Sequence, residues 1–277
     1  MRIIFKRVLC KQVLCKQALA ALVVSLPLIT LPANAHEFWL DPVDFTPKKG
    51  AEVPIVHRTG VNFLGDSFPF VRSVSERFAV IDARGERSIK AVEGDDPAAD
   101  VKLPNAGLAI IAYQRARDNL VHPTIETFAE ILAVEGLGHI ADQHRTAGLP
   151  LTGIRESYAR YAKSLLKVGH GKGSDRAVGL PFEIVIDGNP YDLVPNAPLK
   201  VQVLHQGRPV ENVLVKAFSR VAEKSPRQSR TDAEGRVQLD GVPAGEVLVS
   251  AVMMVRTENT SVSDWFSLWA SVTFKRP

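Results

Sequence analysis

The chain has 277 residues, 45% of them hydrophobic and 23% charged, with 34 Lys and Arg against 30 Asp and Glu. Arg2, Lys6, Arg7, Lys11 and Lys16 stand in the first 35 positions with no acidic partner, so the remainder carries 29 basic against 30 acidic groups. That near-neutral remainder excludes reading the pI of about 9.1 as the footprint of nucleic acid or of an anionic membrane surface.

In chain order, the first 35 residues have the organisation of a cleaved export signal. An apolar run from Ala18 to Leu31 follows the basic start, and Ala33 and Ala35 form the small-x-small pattern that a signal peptidase reads. Pro27 and Pro32 interrupt this run, which is also short for a bilayer span of roughly 20 residues. The expectation is a periplasmic protein with no membrane insertion after cleavage. Both cysteines, Cys10 and Cys15, fall in the removed segment. A mature chain without them relies on its hydrophobic core, and thiolate catalysis, zinc–thiolate sites and iron–sulfur clusters are excluded.

Cleavage after Ala35 makes His36 the first residue of the mature protein. A terminal histidine offers its free α-amine and its ring Nδ1 to one ion, and a third nitrogen from elsewhere would complete a brace-like site. Strand signals follow at Glu52–Thr59, Glu76–Asp82 and Leu108–Tyr113, separated by turn-forming residues and by no crossover helix. Such runs predict an antiparallel sandwich. Val53, Ile55 and His57 share one parity, so His57 is either a packed core residue or the second metal ligand.

Residues 126–170 read as a helical insert. Thr127-Phe128-Ala129-Glu130 has the form of a capping box, with Phe128, Ile131 and Leu132 as an apolar stripe before Gly136. Ile154, Tyr158, Tyr161, Leu165 and Val168 recur at steps of four and three and predict a second helix, with Arg155, Arg160, Lys163 and Lys167 on its solvated sides. Gly169–Ser174 reads as a flexible polar linker. From Gly179 onward strands return, at Phe182–Ile186, Leu199–Leu204, Leu214–Ser219, Gly235–Leu239, Glu246–Val255 and Leu268–Phe274, with His205–Pro209 as a hairpin turn. The last strand puts Phe266, Leu268, Ala270, Val272 and Phe274 on one face and Trp265 and Trp269 on the other, which the Phe38-Trp39 segment or the first sheet should cover. Asp264 would then lie close to His36. The predicted fold is mostly β: antiparallel β-sandwich domains of immunoglobulin or prealbumin-like kind at 36–125 and 179–277, joined by the helical insert.

His36-Glu37-Phe38-Trp39-Leu40, Glu135-Gly136-Leu137, Glu156–Leu165 and Asp264–Phe274, taken in order, resemble a family of bacterial exported proteins catalogued as a domain of unknown function. Members are often described as the periplasmic component of nickel or cobalt uptake systems. Thr231–Arg236 followed by Val242–Gly245 is similar to the regulatory β-sandwich found beside some carboxypeptidases. The family resemblance implies a β-rich periplasmic protein and a divalent transition metal (nickel, cobalt or copper), with a membrane metal transporter as possible partner; it carries over to His36. The leading functional expectation is a non-enzymatic metal-binding protein with His36 and His57 as ligands. A structural or adhesion module of the cell envelope is the alternative, and a terminal-histidine copper oxygenase a third reading. No Gly-x-Ser-x-Gly elbow or His-Glu-x-x-His helix supports a hydrolase.

Overall fold

Thr152–Val168, where the spacing predicted a second helix, is a 17-residue strand. The computed structural model describes residues 37–277 except 222–224 and 259, so His36 and the predicted export signal lie outside the described residues. The first eight strands are β1 (Glu37–Pro42), β2 (Glu52–Val61), β3 (Leu64–Phe68), β4 (Ser75–Asp82), β5 (Gly85–Ser88), β6 (Ala99–Lys102), β7 (Gly107–Arg115) and β8 (Asp118–Thr124). Two helices follow, α1 (Ile125–Val134) and α2 (Gly138–Thr146), and then the long strand, β9. The chain ends with β10 (Phe182–Ile186), β11 (Leu199–His205), β12 (Arg208–Pro209), β13 (Leu214–Ser219), β14 (Arg227–Arg230), β15 (Arg236–Leu239), β16 (Gly245–Arg256) and β17 (Trp265–Arg276).

The described strands form three sheets. One holds β1-β2-β3 with β6 on β2, another holds β10-β11-β12 with β15 on β11, and between them runs β14-β13-β16-β17-β9-β7-β4-β5 with β8 also on β9. The β9–β17 pairing is parallel, from Trp265 opposite Glu156 to Thr273 opposite Ser164, and the other pairings are antiparallel. The nine-stranded sheet is therefore a shared middle layer. Its one face packs Ile110, Leu165 and Val272 against Phe182, Val201 and Leu239 of the β10 sheet. Its other face packs Ile111, Ala162 and Leu166 against Phe38, Leu40 and Ile55 of the β1 sheet.

This double burial explains the misread strand. A strand buried on both faces has no polar face to alternate with, so its period of two disappears from the sequence. In β9, Tyr161 and Leu165 enter one core while Ala162, Leu166 and Val168 enter the other. Lys163, expected on a solvated helix side, is 1% exposed. Strands from all three stretches, β4, β5, β7 and β8 of the first, β9 of the insert and β13, β14, β16 and β17 of the last, thus share a single sheet, and the described residues form one compact unit.

The helices cover the N-terminal half of β9 and the outer end of β17. The cap of α1 is Thr124, whose side chain accepts from the Thr127 amide at 3.3 Å, three residues before the predicted cap. Phe128, Leu132, Leu137 and Ile140 bury Trp265 and Trp269. The helices thus cover the Trp265 and Trp269 end of the second face of β17, while further along that face Thr273 donates to the Leu40 carbonyl of β1 at 2.7 Å, as the expected cover by the first sheet requires; Trp39 itself packs with Phe63, Phe218 and Leu248. The glycine-rich segment after Val168 is a pinned strap: Gly169 donates to Pro47, Leu108 donates to Lys172, and Asn189 donates to Gly171.

Candidate functional site

The start of β1 opens onto a cleft of about 320 Å3 lined by Glu37, Asn62, Ile131, Glu135, Lys216 and Phe218, among others. The start of β1, the β2–β3 hairpin, the end of α1 and β13 all contribute to it. The β1–β2 register sets Glu37 opposite Gly60, and the β2–β3 hairpin then turns through Asn62 and Phe63, both at positive φ (56° and 64°). That backbone suits a two-residue hairpin turn but is costly for a bulky side chain. Phe63 is held there by burial: it is 2% exposed, lies edge-on to Trp39, and carries the Arg220 guanidinium 4.4 Å above its ring.

The third stretch is the end of α1. Gly136 takes φ +71° and stops the helix, its carbonyl accepting from Arg230 at 2.6 Å. This leaves Glu135 facing β13, where Lys216 Nζ donates to its Oε2 at 2.6 Å; both residues are 5% exposed. Glu37 is 6% exposed in the same cleft. Burial, reinforced by the Glu135 carboxylate and opposed by Lys216, pushes its carboxyl from 4.5 up to about 7. Near neutrality the cleft therefore holds one ion pair and one carboxyl that can gain or lose its proton. Such a set can accept a cation or a hydrogen-bond donor.

His57 lies elsewhere. It pairs with Leu40, three residues on from Glu37, about 10 Å along the strand. It shares the Phe38 and Leu40 face, while the Glu37 and Trp39 side chains point to the other. Its ring is fully buried among Phe38, Phe68, Phe70, Phe78 and Tyr113, at centroid distances of 4.5 to 6.4 Å. Neither imidazole nitrogen has a hydrogen-bond partner among the described residues. Burial, aided by the Arg115 charge, lowers its pKa from 6.5 to about 4, so the ring is neutral at pH 7. Its surroundings are aromatic side chains, and among the described residues no group of three or more His, Cys, Asp or Glu is placed to hold a metal ion.

Other histidines set aside by sequence reasoning turn out to be structural links. His122 Nε2 meets Glu156 Oε2 at 2.6 Å, Glu156 Oε1 accepts from Ser267, and Trp269 donates to Ser267 at 2.9 Å, so the chain ties β8 to β9 and β17. His144 Nδ1 accepts from the Trp265 indole at 2.9 Å, which leaves Nε2 to donate to the Pro150 carbonyl, also at 2.9 Å. His139 and His170 are exposed, and His205 closes the predicted hairpin opposite Arg208. Asp264 grips Arg155, accepting from its backbone and guanidinium at 2.9 and 2.8 Å. Sequence reasoning missed Glu37, Glu135 and Lys216 as neighbours, although Glu37 and Glu135 both fall in blocks that carried the family resemblance.

The fold and cleft define a three-layer β-sandwich protein with a charged cleft at the beginning of its first strand. The chain belongs to the family described as domain of unknown function DUF4198, whose profile matches residues 33–255. No curated protein matches it. Among solved structures, the D0–D1 domain of intimin is similar at 13% identity over 86% of this chain and 97% of that one, with a TM-score of 0.20, too low to carry structural meaning.

Proposed function

We propose that the mature protein is a periplasmic, non-enzymatic binding protein for a divalent transition metal (nickel, cobalt or copper), with its capture site at the start of β1. The observation that carries this reading is the placement of Glu37 and Glu135 in one cleft at the point where the chain continues from His36. With cleavage after Ala35, the α-amine and ring of His36 would supply two nitrogens, and Glu37, the next residue in the chain, lines the cleft together with Glu135. This donor set of nitrogen and oxygen suits the late first-row ions, with intrinsic affinity highest for copper. His57 has no place in this site, because its ring faces the opposite side of the β1 sheet. The sandwich bearing the carboxypeptidase-regulatory-like stretch serves as scaffold, and a membrane metal transporter is the fitting recipient.

The test is calorimetric titration of Ni(II), Co(II) and Cu(II) into protein starting at His36, into the same protein with one glycine added before it, and into Glu135→Gln. One-to-one binding that the glycine abolishes and Glu135→Gln weakens is expected. Equal or absent binding in the first two would overturn the reading. It would favour the structural-module alternative, for which the continuous nine-stranded layer and its two cores are the supporting observation.

A further inference from the structure

Lys163 projects from the middle of β9 into the core shared with the β10 sheet. Its side chain is 1% exposed, and those of its two acidic neighbours, Asp175 and Glu183, are 0% and 2% exposed. Nζ lies 2.9 and 3.2 Å from the two oxygens of Asp175 and 3.2 Å from Glu183 Oε1. With Nζ this close to both oxygens, the carboxyl carbon between them falls within the roughly 3–3.5 Å range at which nucleophilic attack begins.

Glu183 is fixed more firmly than a salt bridge alone would require. Its Oε1 accepts from the Val178 amide at 2.8 Å, and its Oε2 from Gly179 and Leu180 at 3.1 and 3.2 Å. Asp175 is likewise held, by the amides of Arg176 at 2.8 Å and Ile186 at 2.7 Å. The backbone donors orient both carboxylates before any reaction, and the side chains of all three groups are buried. Two carboxylates and one ammonium together in the core carry a large desolvation cost, which replacing an ion pair by a neutral amide would relieve.

From this geometry we propose that Lys163 and Asp175 condense into an intramolecular isopeptide bond, with Glu183 as proton carrier. Glu183 takes a proton from the Lys163 ammonium, and the freed nitrogen lone pair attacks Cγ of Asp175. One Asp175 oxygen then receives, by way of Glu183, the two surplus protons of the ammonium in succession. The C–O bond breaks as that oxygen leaves as water, and the amide keeps one N–H. Glu183 ends as it began, and no oxidant, reductant or co-reactant is consumed. The bond welds the strap after Val168 to the central strand of the middle sheet.

The experiment is intact-mass spectrometry of the folded mature protein under denaturing conditions, with peptide mapping. The expected mass is one water below that of the sequence, with trypsin failing to cut after Lys163 and a branched peptide joining Lys163 to Asp175. Glu183→Gln, which keeps the shape of the side chain, should show the full mass while remaining folded by circular dichroism, and Lys163→Arg should show the full mass whether or not it folds. A folded wild type at its full sequence mass would overturn the proposal, as would a water loss mapped to any other pair. Water loss in Glu183→Gln as complete as in the wild type would overturn the role of Glu183.

Discussion

Two deeply buried polar sites, one on each face of the middle sheet, handle the same problem in opposite ways. Lys163, Asp175 and Glu183 bring three ionisable groups into one core, and each is bonded to partners or to backbone amides. His57 brings a single imidazole into the other core and gives it aromatic rings and no hydrogen bond among the described residues. The contrast separates two ways of tolerating buried polarity: saturating every lone pair, or keeping the group uncharged. The first is sensitive to removal of any partner. The second is sensitive to pH.

The sharpest way to break the comparison is at Lys163. Lys163→Met takes away the nitrogen that Asp175 and Glu183 share, leaves both carboxylates buried without it and prevents the proposed amide, and should cost about 3–5 kcal/mol in chemical denaturation. A cost below 1 kcal/mol would show that the cluster is not the anchor of the strap. At His57 the folded pKa of about 4 lies below the unfolded value of 6.5, so the unfolded chain binds more protons between the two. The histidine's contribution is present above pH 6.5 and is lost as pH falls toward 4, by about 3 kcal/mol in all. His57→Phe should flatten that part of the stability–pH curve and, at pH 7, raise stability by about 1–2 kcal/mol by removing two unpaired polar atoms. An unchanged slope would mean that other groups set the acid limit.

Smaller effects are expected around the cleft and at the Asp264–Arg155 pair. Gly136→Ala forces a side chain into φ +71°, with its Cβ 2.8 Å from Arg230 Nη2 and 2.9 Å from Leu214 Cδ2. It should cost about 1–2 kcal/mol, read as a lowered melting temperature, and should disturb the cleft because it moves Glu135. Smallest is Asp264→Asn. Burial opposes ionisation of Asp264, but its hydrogen bonds from Arg155 prevail and hold its pKa below the ordinary carboxylate value. That contribution is present above pH 4 and is lost as pH falls through the lowered folded value. Because the Arg155 side chain is 40% exposed and the pair is screened by solvent, global stability should barely change, and faster proteolysis near Asp264 is the readout.

The legible strands include ones buried on both faces, such as β4, which sends Phe78 and Val80 into one core and Ala79 and Ile81 into the other. Glu76–Asp82, Phe182–Ile186 and Leu214–Ser219 are strands within a residue of where their composition put them, and the parity split of β17 holds. The stretch that failed, β9, failed because Tyr158 and Tyr161 point into different cores yet sit three apart, a spacing equally at home on a helix. Arg155, Arg160, Lys163 and Lys167 completed the illusion of a charged flank. The glycines after Val168 looked mobile because the sequence does not show that Asp175 and Glu183 are tied to Lys163. The cleft was half legible: His36 and Glu37 were singled out as a stretch, but the approach of Glu135 depends on the turn at Gly136 and on Lys216, which lies 81 residues further on.

The place of β17 bears on how the molecule is made. Its last strand is no edge but a wedge, seated between β16 and β9 and joined to the latter in parallel. Of the described strands, the one in the middle of the sheet is therefore made after all its neighbours, and every earlier intermediate carries two unpaired borders where that strand will go. Parallel pairing across more than a hundred residues makes closure slow and topologically demanding. A chain ending before Trp265 would not be a smaller version of this protein; it would be two halves with exposed seams, each a template for the wrong partner.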